Sequence, residues 1–255
     1  MKKLSSIFLG ALFTTLFFAA DINQAQSQIL NKLISKATKT KTTSTVTPSD
    51  QEIATGIKEA LQQGIIKSSD QLSAVNGFFG NAAVKILFPP EAQKAERTLR
   101  GLGLNKLCDN VILSLNRAAE DAAKEAKPIF IAALKQMSVK DATNILLGSS
   151  DAATQYFKRT TTDSLAAKFR PVVHNSLDKV GATQYYSQAA TAYNKVPFNR
   201  SKVDPDIENY VTQKAISGLF VEIAQQELQI RQNLPSTRTT ALLQKVFSYA
   251  DQAKK

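Results

Sequence analysis

Apolar side chains recur every three or four residues along most of the chain, and this spacing constrains the fold more than any other feature of the sequence. Residues at this spacing share one face of an α-helix. The early and middle examples are Ile53, Ile57 and Leu61, and then Leu107, Val111, Leu115 and Ala118. No useful stretch alternates apolar and polar residues, and no internal repeat is visible. The sequence predicts a single all-α domain of about nine or ten helices with no significant sheet.

Capping residues, glycines and prolines predict where these helices begin and end. Ser49 with Glu52 forms a capping box for a helix over about 50–66, and Ser138 with Asp141 caps a short helix that Gly148 ends. Pro128 and Pro171 are expected to interrupt two helices. The remaining expected helices are 90–101, 129–137, 150–157, one capped by Thr161 or Thr162 and running to 180, one with Tyr185, Tyr186 and Tyr193 that ends at Pro197, one starting at Asp204-Pro205, and one capped by Ser236.

The N-terminus has the pattern of a secretory signal peptide. Lys2 and Lys3 precede an apolar run over 7–20, which is shorter than the roughly 20 residues of a membrane span. Ala25 and Ser27 suit a cleavage after Ser27. We therefore expect a signal peptide at 1–27, a Thr/Ser/Lys-rich lead and linker at 28–48 and the helical domain at 49–250. The expected product is a soluble periplasmic or otherwise exported protein with no transmembrane segment. Cys108 is too far from the leader for a lipoprotein.

The composition excludes several classes of site. One Cys and one His cannot form an internal disulfide or supply a zinc site. No phosphate-binding loop, nucleophile elbow or metalloprotease helix is present, so we assign no catalytic residue, metal or cofactor. The net charge of +11 favours acidic partners. Because the basic residues form no block of five or six, we do not expect nucleic acid to bind.

A polar run over 116–128 is the most ordered arrangement of charged groups in the chain. On a helix, Asn116, Glu120 and Lys124 form one row, and Arg117, Asp121 and Glu125 form a second. One interpretation is solvated ion pairs of little energetic value. The other is that one row faces inward and meets cations of later helices, as a charge network or ligand site. The candidate residues are Asn116, Arg117, Glu120, Glu125, Lys127, Arg159, Thr160, Lys168 and Arg170.

Glu120 and Glu125 could in principle act as the acid and base of a hydrolase. Five residues apart on one helix, their side chains point about 140° apart, which makes them poor partners for one bond. His174 is more typical of a surface or packing residue than of a base.

Three motifs closely resemble the DUF4197 family of uncharacterised bacterial proteins. They are Asn116 to Phe130, Asp151 to Thr161 and Lys168 to Pro171, with flanking similarity at Ile53 to Leu61, Gly101 to Gly103, Tyr210 to Phe220 and Arg238 to Thr240. The resemblance spans roughly 49–247. It implies an exported helical domain, and it carries no established activity, cofactor or catalytic residue.

The leading functional hypothesis is a non-enzymatic binding protein of the bacterial envelope. Its groove would lie where the helix of Asn116 meets Arg159 and the 168–170 segment, and its partner would be an envelope protein or an anionic ligand. One alternative is a hydrolase of envelope glycan or peptide with Glu120 or Glu125 as the acid. A further alternative is peripheral binding to anionic membrane through the excess of Lys and Arg.

Overall fold

The computed structural model describes residues 47–194, 202–204 and 206–253, and within this part of the chain every regular element is helical. The leader at 1–27, most of the linker and Pro197 lie outside the described residues. The helices are α1 (Asp50–Ser73), α2 (Gln93–Gly101), α3 (Asn105–Ala123), α4 (Ala126–Gln136), α5 (Val139–Leu147), α6 (Ala152–Asp178), α7 (Ala182–Asn194), α8 (Ile207–Arg231) and α9 (Ala241–Ala253), with a 3₁₀ turn at Pro90–Ala92 before α2. The predicted all-α class is confirmed.

The predicted capping box at Ser49 and the predicted cap at Ser138 are both present. Ser49 accepts from the Glu52 amide while Glu52 accepts from the Ser49 amide, and Ser138 and Asp141 repeat the arrangement at the start of α5. Gly148 directly follows α5, as expected. Helix α1 runs seven residues beyond the expected end at Ile66, because its apolar face stays buried as far as Leu72.

Helices α3 and α4 are separated by only Lys124 and Glu125, so together they form one bent rod. The break precedes Pro128, which is the third residue of α4. N–H groups in the first turn of a helix have no helical acceptor, so proline is tolerated at this position. If this rod is counted as one helix, the described residues contain eight helices, and the expected nine or ten is slightly too high.

Two expected helices, 150–157 and the one capped near Thr161, are a single helix. Helix α6 is continuous from Ala152 to Asp178 and includes Pro171. The hydroxyls of Thr160, Thr161 and Thr162 each donate to the carbonyl four residues earlier, at 2.9, 2.6 and 2.6 Å, and do not cap a new helix.

Two predicted helix starts were also wrong. Asp206, not Asp204, is the N-cap of α8, since its side chain accepts from the Asn209 amide. The last helix begins at Ala241, where the Thr240 hydroxyl accepts from the Leu243 amide, whereas Ser236 lies in the preceding turn with a positive φ of 67°.

The core forms where α6 packs on α3, α4 and α8 and where α1 packs on α5 and α8. Phe130 of α4 makes edge-to-face contacts with Phe157 of α6 and Phe220 of α8. All four alanines of α3 are fully buried, which lets the neighbouring helices approach closely. None of the helices in the described part of the chain is long and apolar enough to cross a membrane.

Candidate functional site

Glu120 is a buried carboxylate that holds the loop between α1 and α2. Its side chain lies on α3 and only 4 % of the residue is exposed. Oε1 accepts from the backbone N–H groups of Phe78 and Phe79, both at 3.1 Å, and Oε2 pairs with the guanidinium of Arg117. Arg117 also donates to Asn76 at 2.8 Å. Both carboxylate oxygens are therefore engaged within the protein.

Asn116, one turn before Glu120, holds the next part of the same loop. Its Oδ1 accepts from the Ile86 amide at 2.8 Å, and its Nδ2 donates to the Ile86 and Ile112 carbonyls at 2.7 Å. The side chain is fully buried, and two of its three hydrogen bonds pair Ile86 of the loop with α3, while the third is made to Ile112 within α3.

Helix α8 also holds this loop. Buried Glu222 accepts from Asn81 Nδ2 at 2.7 Å, and the Tyr210 hydroxyl donates to the Leu87 carbonyl at 3.1 Å. Phe78 itself is fully buried. The buried members of the inward-facing polar row, Asn116 and Glu120, thus meet backbone groups of the loop, in place of the cations of later helices.

Glu227 and Arg231 repeat this arrangement at the junction of α5 and α6. Glu227 is buried and accepts from the amides of Ala153 and Thr154 at 3.0 and 2.9 Å and from the Thr154 hydroxyl at 2.9 Å. Arg231 pairs with Glu227 and donates to the carbonyls that end α5. Each charge faces the helix end whose dipole it complements.

Arg238 closes the C-terminal end of α8 in the same manner. Its guanidinium donates to the Ile230 and Arg231 carbonyls at 2.9 and 2.7 Å and pairs with Asp251 of α9 at 2.6 Å. Sequence reasoning missed Glu222, Glu227, Arg231 and Arg238 as structural charges. For the three residues on α8, the available signal was their position beside Ile223 and Ile230 in an apolar stripe, together with the four-residue spacing of Glu227 and Arg231.

An open groove of about 600 Å³ lies between α4 and α6. Most of the apolar side chains that line it are small. Thr160, Ser164 and Gln136 supply neutral polar groups. Glu125 and Lys168 are the charged residues among those that line it in the described part of the chain. The remaining lining residues are Pro128, Ile129, Ala132, Ala133 and Ala167.

The charged groups of this groove lie at one end. Asp121 bonds to Ser176 at 2.8 Å and the Tyr156 hydroxyl donates to the Ala133 carbonyl at 3.2 Å, so α6 runs antiparallel to the α3–α4 rod. This direction places Lys168 across from Glu125. Thr160 lies eight residues earlier on α6, about 12 Å along the helix.

The other candidate residues point away from this groove to different partners. Lys127 pairs with Asp70 of α1 at 2.6 Å, and Arg170 pairs with Asp206 at 3.0 Å. The guanidinium of Arg159 lies 5.7 Å from the ring centre of Tyr156. Of the nine candidates, the structure therefore brings Glu125, Thr160 and Lys168 together in one groove, and it places Asn116, Arg117 and Glu120 together at the loop.

A second open groove, of about 410 Å³, lies between α6 and α8. Lys158 and Asp151 are its charged lining residues, and the Lys158 ammonium lies 5.9 Å from the ring centre of Phe220. It is smaller, and it contains none of the candidate residues.

His174, Asp178 and Glu208 are the described group whose donor atoms come closest to a metal-binding set, within 4.8 Å of one another. The two ring nitrogens face different carboxylates, Nδ1 at 2.7 Å from Glu208 and Nε2 at 3.2 Å from Asp178. The hydrogen bond that the protonated ring donates to Glu208 raises the pKa of His174, with a smaller contribution from the charge of Asp178. This geometry suits an imidazolium held between two carboxylates.

Burial also raises the pKa of two side chains that could otherwise be reactive, Cys108 and Tyr186. Cys108 is a buried free cysteine whose thiol pKa is raised by burial. Burial likewise raises the pKa of Tyr186 above the usual range.

Taken together, the fold and its buried charges define an all-α domain in which carboxylates, an asparagine and guanidinium groups fasten one long loop and several helix ends. The family model described as "Protein of unknown function (DUF4197)" matches residues 47–248, and the chain belongs to this family. Comparison with curated proteins and with solved structures gave no match.

Proposed function

We propose that this chain is a non-enzymatic binding protein whose ligand is a peptide segment seated in the α4–α6 groove. The observation that carries the proposal is the groove itself, an open volume of about 600 Å³ that Glu125, Thr160 and Lys168 line. Ligand sites in helical proteins commonly lie between helices and have volumes in this range.

The shape and chemistry of the groove favour a peptide over a small anion. Ala132, Ala133 and Ala167 give it an apolar surface, and small side chains permit close approach of another backbone. The Ser164 hydroxyl can hydrogen-bond main-chain groups of a peptide, and the Thr160 hydroxyl, which donates to the Tyr156 carbonyl, can still accept from a peptide N–H. Lys168 and Glu125 at one end match a ligand segment that carries an acidic and a basic group, whereas a site for a simple anion would not include a carboxylate.

The hydrolase alternative finds little support in the geometry. Glu120 is buried with both carboxylate oxygens engaged, so it cannot meet a substrate without release of the loop. Glu125 lines the groove as the single carboxylate among its described lining residues, so a second acid or base is not in place.

The envelope location is also part of the proposal and rests on the residues of the leader. The basic start and the apolar run of 7–20 support export through the inner membrane. A fusion of alkaline phosphatase to the C-terminus of the full chain tests this, because that enzyme becomes active only after export. Phosphatase activity that does not depend on residues 1–27 would contradict it.

Selection of displayed random peptides on the full chain, followed by titration of an enriched peptide by fluorescence polarisation, tests the binding proposal. Ala132 is exposed in the groove, so Ala132→Trp fills the groove without entering the core. Ala241→Trp, at an exposed position of α9, is the matched control. We expect Ala132→Trp to weaken peptide binding at least about tenfold and the control to bind as wild type.

The charged end gives a second, sharper test. Glu125→Lys combined with Lys168→Glu exchanges the two signs while the net charge stays the same. We expect this double variant to lose affinity for the selected peptide and to recover it for a peptide whose charges are exchanged in the same way. Failure to enrich any peptide, or equal binding by the Ala132→Trp variant, refutes the proposal.

A further inference from the structure

The turn between α2 and α3 is a well-defined hairpin that extends apolar side chains into solvent. Helix α2 ends in a Schellman motif, in which the Leu104 amide donates to the Leu99 carbonyl and the Gly103 amide donates to the Arg100 carbonyl, both at 3.0 Å. Gly103 has the required positive φ of 83°. These bonds fix the direction in which the turn presents its side chains.

All residues of the hairpin tip, defined as residues 101–107, are exposed. Three of them are leucines: Leu102 is 72 % exposed, Leu104 43 % and Leu107 51 %. Helix α2 itself has no buried residue. Three exposed leucines within six residues form an apolar projection of the kind that marks an interaction site.

Three positively charged side chains lie on the same hairpin. Lys94 and Arg97 on α2 and Lys106 in the tip are exposed, and none of the three has an ion pair among the described residues. Arg100 differs, because Glu96 and Asp109 hold it at 2.9 Å. The hairpin therefore combines leucines that can leave water with cations that remain free for an external anion.

We propose that the hairpin tip docks on the surface of an anionic lipid bilayer, with Leu102, Leu104 and Leu107 entering the headgroup layer. Exposed apolar residues flanked by Lys and Arg are the arrangement that binds such interfaces. A second copy of the chain is a weaker match, because a stable dimer needs about 20–30 residues a side and the tip offers seven. This surface is separate from the α4–α6 groove, so either proposal can fail alone.

A single tryptophan tests the contact at the tip. The chain contains no Trp, so Leu102→Trp introduces one reporter, and Val180→Trp places a control reporter at another exposed apolar position. With vesicles that contain phosphatidylglycerol, we expect the emission maximum of the Leu102→Trp protein to move to shorter wavelength. We expect no such change with purely zwitterionic vesicles or for the Val180→Trp protein.

Vesicle co-sedimentation of the full chain measures the contribution of the leucines. All proteins in the comparison keep the same N-terminal residues. Any vesicle binding by the apolar run of 7–20 is therefore the same in each, and a difference between them reports on the substituted leucines. We expect Ser at all three tip leucines to reduce binding to phosphatidylglycerol vesicles at least about tenfold and added salt to weaken wild-type binding. The control carries Ser at three exposed apolar positions elsewhere, Val180, Leu228 and Leu234, and should bind as wild type.

Three results would overturn the assignment to lipid. The first is an unchanged Leu102→Trp emission on anionic vesicles, and the second is equal vesicle binding by the tip variant and its control. The third is concentration-dependent dimerisation in gel filtration that the tip variant alone abolishes, which would assign the tip to a second copy of the chain.

Discussion

Glu120→Gln distinguishes a carboxylate that holds the fold from one that performs chemistry, and we expect it to lower the free energy of unfolding by about 2–4 kcal/mol. Gln has nearly the same shape as Glu, so the substitution removes the charge and leaves the packing unchanged. If Glu120 were a catalytic acid, its removal would leave stability intact or improve it.

The magnitude follows from the contacts of the two carboxylate oxygens. A hydrogen bond to a charged group contributes about 1.5–3 kcal/mol and a neutral one about 0.5–1.5 kcal/mol. The Gln carbonyl can still accept from Phe78 and Phe79, so about 1 kcal/mol is lost for each of these bonds. The partner Arg117 is partly exposed, so loss of the ion pair adds only about 1 kcal/mol.

Two measurements, one global and one local, test this expectation. Urea denaturation gives the change in unfolding free energy, and a loss of about 2–4 kcal/mol corresponds to a fall in Tm of about 5–15 °C for a domain of this size. Relative to the wild-type protein, the Glu120→Gln protein should show faster hydrogen exchange at the Phe78 and Phe79 amides, with a smaller change at amides in α6. The control is Glu125→Gln, which changes an exposed carboxylate of the open groove.

We expect the Glu125→Gln protein to unfold as wild type does. If Glu120→Gln and Glu125→Gln have equal unfolding free energies, or if exchange at Phe78 and Phe79 is unchanged, the carboxylate does not anchor the loop and the reasoning is wrong.

Three further substitutions probe other contacts of the fold. Glu227→Ala should lower the free energy of unfolding in urea by about 3–5 kcal/mol. The substitution leaves the mostly buried guanidinium of Arg231 without its carboxylate and two amides at the start of α6 without an acceptor. A loss below about 1 kcal/mol would contradict this. His174→Gln should destabilise the protein more at about pH 5 than at about pH 9, as measured by denaturation at both. The reason is that Glu208 raises the pKa of His174 in the folded state. The stabilisation by the His174 imidazolium is therefore complete below the unfolded-state pKa of about 6.5 and disappears as the pH rises through the folded-state pKa. Gly218→Ala should lower the free energy of unfolding by about 1–3 kcal/mol, because the new Cβ would lie 2.5 Å from the buried ring of Phe78. In the control, Gly101→Ala, the new Cβ meets open space and the change should be close to neutral. Equal melting temperatures of the two variants would refute the close packing at Gly218.

The sequence predicted local structure where a few consecutive residues contain all of the information. Ser49 with Glu52 and Ser138 with Asp141 are complete capping boxes in which each partner is three residues from the other. The structure at these positions does not depend on what packs against them. The same holds for Gly148, which ends α5 as expected.

The sequence failed where one residue type has two local uses. Thr161 can cap a helix or donate to the carbonyl four residues back, and its spacing does not decide between them. The burial of Phe157 and Leu165 on both sides of Thr161 decides it, because a single uninterrupted helix buries both. That burial depends on α3 and α8, which lie far away in the sequence.

The polar run posed a different problem, because its residues were visible while their partners were not. Glu120 accepts from backbone amides 41 and 42 residues earlier, and Glu227 accepts from backbone amides 73 and 74 residues earlier. Backbone N–H groups occur at nearly every residue, so nothing in the sequence marks the two that a carboxylate will bind. Both glutamates nevertheless bind two successive amides, which shows a shared structural use of buried charge in this domain. A carboxylate here becomes a candidate for ligand contact only where open volume adjoins it, and of the two glutamates proposed as acids, that condition selects Glu125 and excludes Glu120.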